Sequence, residues 1–189
     1  MKNFVRLNVS YISSPEAGFL RSIRTLINPK TTKLVFRFPE NEEVDPSTNQ
    51  SYASLLKNLT SIKTFASGIL VPKDYIWPVD PKSHYLQPHT SLVSNAHTVG
   101  LEVFASTFVN DIPISYDPVS EHLSFIENGN FSVDSVLSDF PLTSSAAIDC
   151  FAHMGLNDPK KGRKIPKAQL TVKDMVNHKK SFVMIIERH

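Results

Sequence analysis

Hydrophobic and polar positions change period repeatedly along the chain. Short apolar, β-branched runs alternate with stretches in which apolar residues recur every three or four positions. That alternation predicts a parallel sheet covered by helices, the α/β class. The first unit is a strand from Val5 to Tyr11, then a helix with Ser14 as N-cap and Pro15 at its first position, its buried stripe formed by Phe19, Leu20, Ile23, Leu26 and Ile27. Asn28-Pro29 stops it. Lys33 to Phe38 follows as a strand buried on both faces through Leu34, Val35, Phe36 and Phe38. After the polar loop from Glu40 to Gln50, the residues Tyr52, Leu55, Leu56, Leu59 and Ile62 mark one further helix, and Gly68 to Val71 a third strand closed by Pro72.

The segment from Lys73 to Pro88 reads as a long loop holding Tyr75, Trp77, His84 and Tyr85. Aromatic loops after a strand either border a ligand or lid the core, and both readings stand at this point. A helix with Leu92, Val93 and Ala96 ends at Gly100 as a left-handed cap, and Leu101 to Phe108 is the next strand. Asp117-Pro118 supplies an N-cap and a first-turn proline for a helix that buries Val119, Leu123 and Ile126. Asn128-Gly129 ends that helix, Val133 to Leu137 forms the last strand, and a short helix runs from Thr143 to Phe151. The pattern therefore divides the chain into a barrel-like part, 1–155, and a divergent tail, 156–189. In the tail Lys160, Lys161, Arg163, Lys164 and Lys167 surround Gly162 and Pro166 as a solvated linker, and Ser181 to Glu187 is either an added edge strand or a sticky end.

Five strand and helix pairs without a glycine-rich phosphate loop argue against a dinucleotide fold, because the strand-to-helix turns carry Ser14-Pro15 and Asp117-Pro118 instead. The expected architecture is a partial TIM barrel, since 189 residues fall short of the ~250 of a complete one. Chemistry in such folds sits at the C-terminal ends of the strands. Here those ends carry Ser10 to Ser14, Arg37 to Pro39, Lys73, Ser106 to Asp111 and Ser138-Asp139. No two carboxylates and no histidine pair converge there by spacing alone.

Charge and cysteine content narrow the classes further. A net charge of +2 is too weak a basic bias to imply nucleic acid, which needs clustered Lys and Arg on one face. The single cysteine, Cys150, excludes an internal disulfide framework and a cysteine-cage zinc site. No apolar stretch approaches the ~20 residues of a membrane span, and Met1 to Tyr11 does not read as a signal peptide. His89 and His97 are placed on one helix ~12 Å apart along its axis, too far to share an ion. No metal site is expected within the chain. Asn8, Asn49, Asn58 and Asn130 each open an Asn-X-Ser/Thr triplet, a pattern that a Ser-, Thr- and Asn-rich chain also produces by composition. Asn49, Asn58 and Asn130 are the glycosylation candidates, Asn8 being assigned to a buried strand.

Four runs in a fixed order resemble the glycerophosphodiester phosphodiesterase family. They are Ser67 to Lys73 with Tyr75 to Pro78, Leu86 to Thr90, Gly100 to Ser106, and Gly129 to Pro141. The resemblance covers about Val5 to Lys161 and is greatest to the first domain of the plant, lipid-anchored members with two tandem domains. It implies a TIM barrel that hydrolyses a glycerophosphodiester to glycerol 3-phosphate and an alcohol, using calcium or magnesium and a histidine acid–base pair. Matching Ser138-Asp139-Phe140-Pro141 to the family's last-strand motif makes the five strands here strands four to eight. The family's His-Arg-Gly motif, second histidine and acidic ligands belong to earlier strands, so the resemblance assigns no catalytic residue and no metal ligand in this chain. Glu16 and Asp45 match no motif position. Ser106-Thr107 stands where many bacterial members have Trp-Thr, and Ser106, Asn110 and Asp139 are the candidates for the substrate rim, with turn and cap roles equally open for Asn110 and Asp139.

The resemblance also implies an extracellular, wall or plasma-membrane-anchored location for the intact family members, whereas this chain shows no signal peptide of its own. A truncated gene, an alternative transcript or a gene-model error is the expectation for the two chain ends, with unpaired barrel edges that favour self-association or pairing with a complementary fragment. Three functional readings follow: a glycerophosphodiester phosphodiesterase by family, inactive as this chain; a non-catalytic wall-associated module; and an inert fragment.

Overall fold

The computed structural model describes residues 9–39, 44–111, 114, 117–126 and 128–156, with the side chains of 150–156 excepted. Five strands, β1 (Tyr11–Ser14), β2 (Lys33–Arg37), β3 (Gly68–Pro72), β4 (Glu102–Phe108) and β5 (Ser135–Ser138), make one sheet in the order β1-β2-β3-β4-β5. The pairs β1/β2, β2/β3 and β4/β5 are parallel. Parallel strands lying in chain order with helices between them give the curled sheet of a partial TIM barrel, as the hydrophobic pattern predicts. The chain forms two compact units: the described residues up to Pro72 together with 95–103, and 73–94 together with those from 104 onward.

In the first unit the core is built around Phe36, fully buried, with the rings of Phe38, Tyr52 and Phe65 at 5.1, 6.1 and 5.6 Å. β1 begins six residues later than the predicted strand and runs through Ser14, while residues 1–8, including Asn8, lie outside the described set. Ser14 is therefore a strand residue and not a helix cap. Helix α1 (Ala17–Arg24) buries Ala17, Leu20 and Ile23, whereas Leu26 falls beyond its end and is exposed. The side chain at its N-cap position, Glu16, makes no capping bond. Capping comes instead from a distant loop: Asp45 Oδ1 accepts from Ala17 N–H at 3.3 Å, and Ser47 Oγ accepts from Gly18 N–H at 2.8 Å.

The single helix expected over Tyr52 to Ile62 is two, α2 (Tyr52–Lys57) and α3 (Leu59–Lys63), broken at Asn58. Asn58 explains the break. Its side-chain oxygen accepts from Ser61 N–H at 3.3 Å, offering the backbone a cap in place of a continued helix.

In the second unit, the expected loop after β3 opens with a helical turn, α4 (Lys73–Ile76), and α5 (Leu92–Thr98) follows across the boundary into the first unit. Gly100 takes φ +77° just beyond α5, the left-handed cap read from the sequence. His89 lies before α5 and so does not share a helix with His97. Trp77 packs between Phe125 at 6.1 Å and Phe131 at 5.9 Å, and its indole N–H donates to Gln87 C=O at 2.7 Å. For Trp77 the core-lid reading holds, while Tyr85 at the tip is 74% exposed.

Helix α6 (Pro118–Ile126) is rotated relative to its apolar pattern. Glu121, His122, Phe125 and Ile126 are buried, while Val119 and Leu123 are half-buried. The last strand is shifted toward Ser138, Val133 being buried just before it. The last helix, α7 (Pro141–Leu156), starts at the proline, two residues before the predicted start. Residues 157–189, including the basic cluster and the terminal apolar run, lie outside the described set.

Candidate functional site

The second unit holds Lys73, which directly follows β3, together with Ser106 to Asn110 at the end of β4 and Ser138-Asp139 at the end of β5. The register of β4 against β5 shifts between Ala105 and Phe108. Thr107, inside that shift, has φ +67°, a backbone conformation that a β-branched residue adopts only under constraint. The constraint is visible in its hydrogen bonds: Thr107 Oγ1 donates to Ser106 C=O at 2.6 Å and accepts from Lys73 N–H at 3.4 Å. On either side of the shift Ala105 and Phe108 are both buried, as are Val103 and Phe104 before it.

Of the predicted rim residues, Ser106 is half-buried and tied to Thr107 through its carbonyl. Asn110 is half-buried too. Its Nδ2 donates to Thr143 Oγ1 of α7 at 3.1 Å, and its Oδ1 is buried without a hydrogen bond among the described residues. Asp139 stands apart. It is exposed, and the turn is closed not by it but by Ser138 Oγ, which accepts from Phe140 N–H at 3.1 Å. The structure thus links Asn110 to α7 and Ser106 to Thr107 and leaves Asp139 out.

Two buried polar pairs escaped the sequence reading. Lys73 Nζ donates to Glu121 Oε1 at 2.7 Å, and the same oxygen accepts from Ile114 N–H at 3.1 Å. His122, 1% exposed, lies over Phe108 with ring centroids 4.7 Å apart. Its Nδ1 lies 2.6 Å from Pro118 C=O and its Nε2 2.9 Å from Ser144 Oγ. A carbonyl only accepts, so Nδ1 carries a proton, and in the neutral ring Nε2 is the acceptor for the serine hydroxyl. The sequence offers only a slight signal for these pairs, since Glu121-His122 stands outside the helical stripe of Val119, Leu123 and Ile126.

In the first unit β1 ends at Ser14, whose Oγ accepts from Glu16 N–H at 3.1 Å, and β2 ends at Arg37. Asp45 is fully buried and committed to Ala17, Ser47 and Thr48, so this carboxylate is a structural cap. The carboxyls of Asp117 and Asp80 are held below the ordinary carboxylate range. Asp117 is lowered chiefly by the Ser120 hydroxyl bonded to it, and Asp80 chiefly by Ser83 N–H.

Asn49, Asn58 and Asn130 are all exposed. Among the described residues no group of three or more His, Cys, Asp or Glu is placed to hold a metal ion. The buried carboxylates Asp45 and Glu121 are occupied by a helix cap and an ion pair. These residues do not fit a divalent cation, and no chemical step here runs through one. No helix among them is long and apolar enough to cross a membrane.

The parallel strands in chain order define part of a TIM-barrel domain. No family model matches the chain. It is 57% identical over 171 residues to "Glycerophosphodiester phosphodiesterase GDPDL5" of Arabidopsis thaliana, covering 88% of this chain and 23% of that protein. It is also 58% identical over 156 residues to "Glycerophosphodiester phosphodiesterase GDPDL3" of the same plant, covering 80% of this chain and 20% of that protein. The chain belongs to this glycerophosphodiester phosphodiesterase family, and it spans about a fifth of the length of the relatives it matches.

Proposed function

We propose that these residues form strands four to eight of a glycerophosphodiester phosphodiesterase barrel. The intact protein would hydrolyse a glycerophosphodiester to glycerol 3-phosphate and an alcohol with calcium or magnesium. The observation that carries this reading is the coincidence of five parallel strands in chain order with 57% identity over 171 residues to a protein of that name. In this reading the acid, base and metal ligands come from barrel strands that the 189 residues do not match, and the chain alone is inert. Ser106, Asn110 and Asp139 belong to the substrate rim. The test is hydrolysis of glycerophosphocholine by the purified 189-residue chain with calcium or magnesium, beside a circular-dichroism melt. A folded, inert sample is expected. Turnover above a chelator-treated control overturns the assignment of the missing groups.

An extracellular or wall-associated placement, including a non-catalytic surface role, is supported by the exposure of Asn49, Asn58 and Asn130 within glycosylation triplets. Expression through a plant secretory pathway should give a mass shift removed by a glycosidase. β1 and β5 end the sheet order, which supports pairing with a complementary barrel fragment or a second copy. Size-exclusion chromatography across a concentration series reads that association.

A further inference from the structure

The strand ends of the described residues carry two cations, Arg37 as the last residue of β2 and Lys73 directly after β3, and the structure treats them differently. Lys73 is neutralised by Glu121. Arg37 makes neither an ion pair nor a side-chain hydrogen bond among the described residues, although other cations of its own unit are engaged: Lys33 with Glu102, Lys63 with Gly100 C=O, and Arg21 over the Phe65 ring. The side chain is nonetheless half-buried.

Its face of the sheet is apolar except for Ser13 of β1, the register partner of Val35, whose hydroxyl is buried without a hydrogen bond among the described residues. Phe36 and Phe38, on either side of it, both stack on Tyr52 of α2. Strand alternation therefore puts Arg37 on the face turned away from α2, the face it shares with Val35. Val35 and the register partner Leu70 are 0% and 1% exposed. A guanidinium keeps its charge and presents five N–H donors, and leaving them unpaired beside apolar side chains is unfavourable unless an anion completes them. The planar fork matches two oxygens of a phosphate, and the C-terminal end of a parallel strand is where a barrel presents its chemistry.

We propose that Arg37 binds the phosphate oxygens of the substrate through a bidentate contact, as a substrate-positioning residue. This rests on the phosphodiesterase reading for the identity of the substrate, and on the structure of β2 for the residue. The test is a calorimetric titration of the folded 189-residue chain with inorganic phosphate, glycerol 3-phosphate and glycerophosphocholine, repeated with Arg37→Gln, Arg37→Lys and, as an exposed control, Arg24→Gln. Arg37→Gln should weaken phosphate and glycerol 3-phosphate binding about tenfold or more, Arg37→Lys by less, and Arg24→Gln not at all. If Arg37→Gln does not fold, the loss in Arg37→Lys carries the result. Unchanged binding in both Arg37 variants, or no phosphate binding by the native chain, overturns the proposal. Arg37-dependent binding of phosphate with none of glycerophosphocholine upholds the anion site and removes the phosphodiesterase reading instead.

Discussion

The ammonium of Lys73 lies 2.7 Å from Oε1 of Glu121, with the two side chains only 6% and 1% exposed. The pair ties the residue after β3 to the buried face of α6, and Ile114 N–H adds a second donor to the same oxygen. Such a pair is poor evidence of net stability, because two charges have left water. Removing one partner is nevertheless expensive, since the other charge stays buried. Lys73→Met or Glu121→Leu should each cost about 3–5 kcal/mol. The double variant Lys73→Met/Glu121→Leu should recover much of it. Urea denaturation of the four proteins reads the cycle, and single-variant losses below about 1 kcal/mol would mean that the pair is solvated in solution.

Asp45 and Gly18 test the remote cap of α1. Asp45→Ala removes the acceptor for Ala17 N–H and for the Ser47 and Thr48 hydroxyls, an expected loss of about 1–2 kcal/mol. Asp45→Asn, which keeps an acceptor, should lose less. At Gly18 an added Cβ would lie 2.7 Å from Ser47 Cβ, so Gly18→Ala must displace the capping loop despite alanine's better helix propensity. Thermal melts should place Gly18→Ala below the native chain; a higher melting temperature would show that the loop does not press on the helix.

Asp117 predicts an acid-sensitive α6. Its carboxylate accepts from Val119 N–H at 2.8 Å, Ser120 N–H at 2.9 Å and the Ser120 hydroxyl at 2.6 Å. These bonds hold its pKa below the ordinary carboxylate value, with the hydroxyl bond foremost. A group whose pKa is depressed by folding contributes above its unfolded value and loses that contribution as pH falls through the folded one. The helix start should therefore weaken below about pH 4, and Asp117→Asn should flatten that limb of a pH series of melts. An unchanged acid limb in Asp117→Asn would leave the effect to Asp80, which is depressed in the same direction.

His122 and Ser144 join α6 to α7 by one buried hydrogen bond of 2.9 Å. Ser144→Ala leaves Nε2 buried without a donor, at a cost of about 1–3 kcal/mol. His122→Phe in the Ser144→Ala background replaces that unsatisfied nitrogen by carbon against Phe108 and should restore part of the loss. Equal stability of Ser144→Ala and the native chain would show that water reaches the ring.

Much of the fold was legible because its causes are local. The runs around Val35, Ile69 and Val103 are buried strands whose neighbours supply the helical stripes, and Gly100 takes the left-handed cap that only a glycine adopts without strain. Element ends were less legible. Asn58 splits a helix by capping Ser61, and Ser14 stays in β1 because the capping oxygen for α1 arrives from Asp45, 28 residues from Ala17. The rim was legible only as a set of strand ends: Asn110 is tied to Thr143, 33 residues on, whereas Asp139 makes no such contact among the described residues.

The sequence by itself determined the α/β class, the chain order of the five strands and the family, because hydrophobic period, turn residues and a run of matched motifs are properties of neighbours along the chain. Tertiary structure alone decided that Lys73 is neutralised by Glu121, that His122 faces Ser144, that Asp45 is a cap, and that Arg37 remains without a partner among the described residues. The physical reason is that a charge or a hydrogen-bonding group is defined by what surrounds it, and in a parallel sheet those surroundings come from residues tens of positions away.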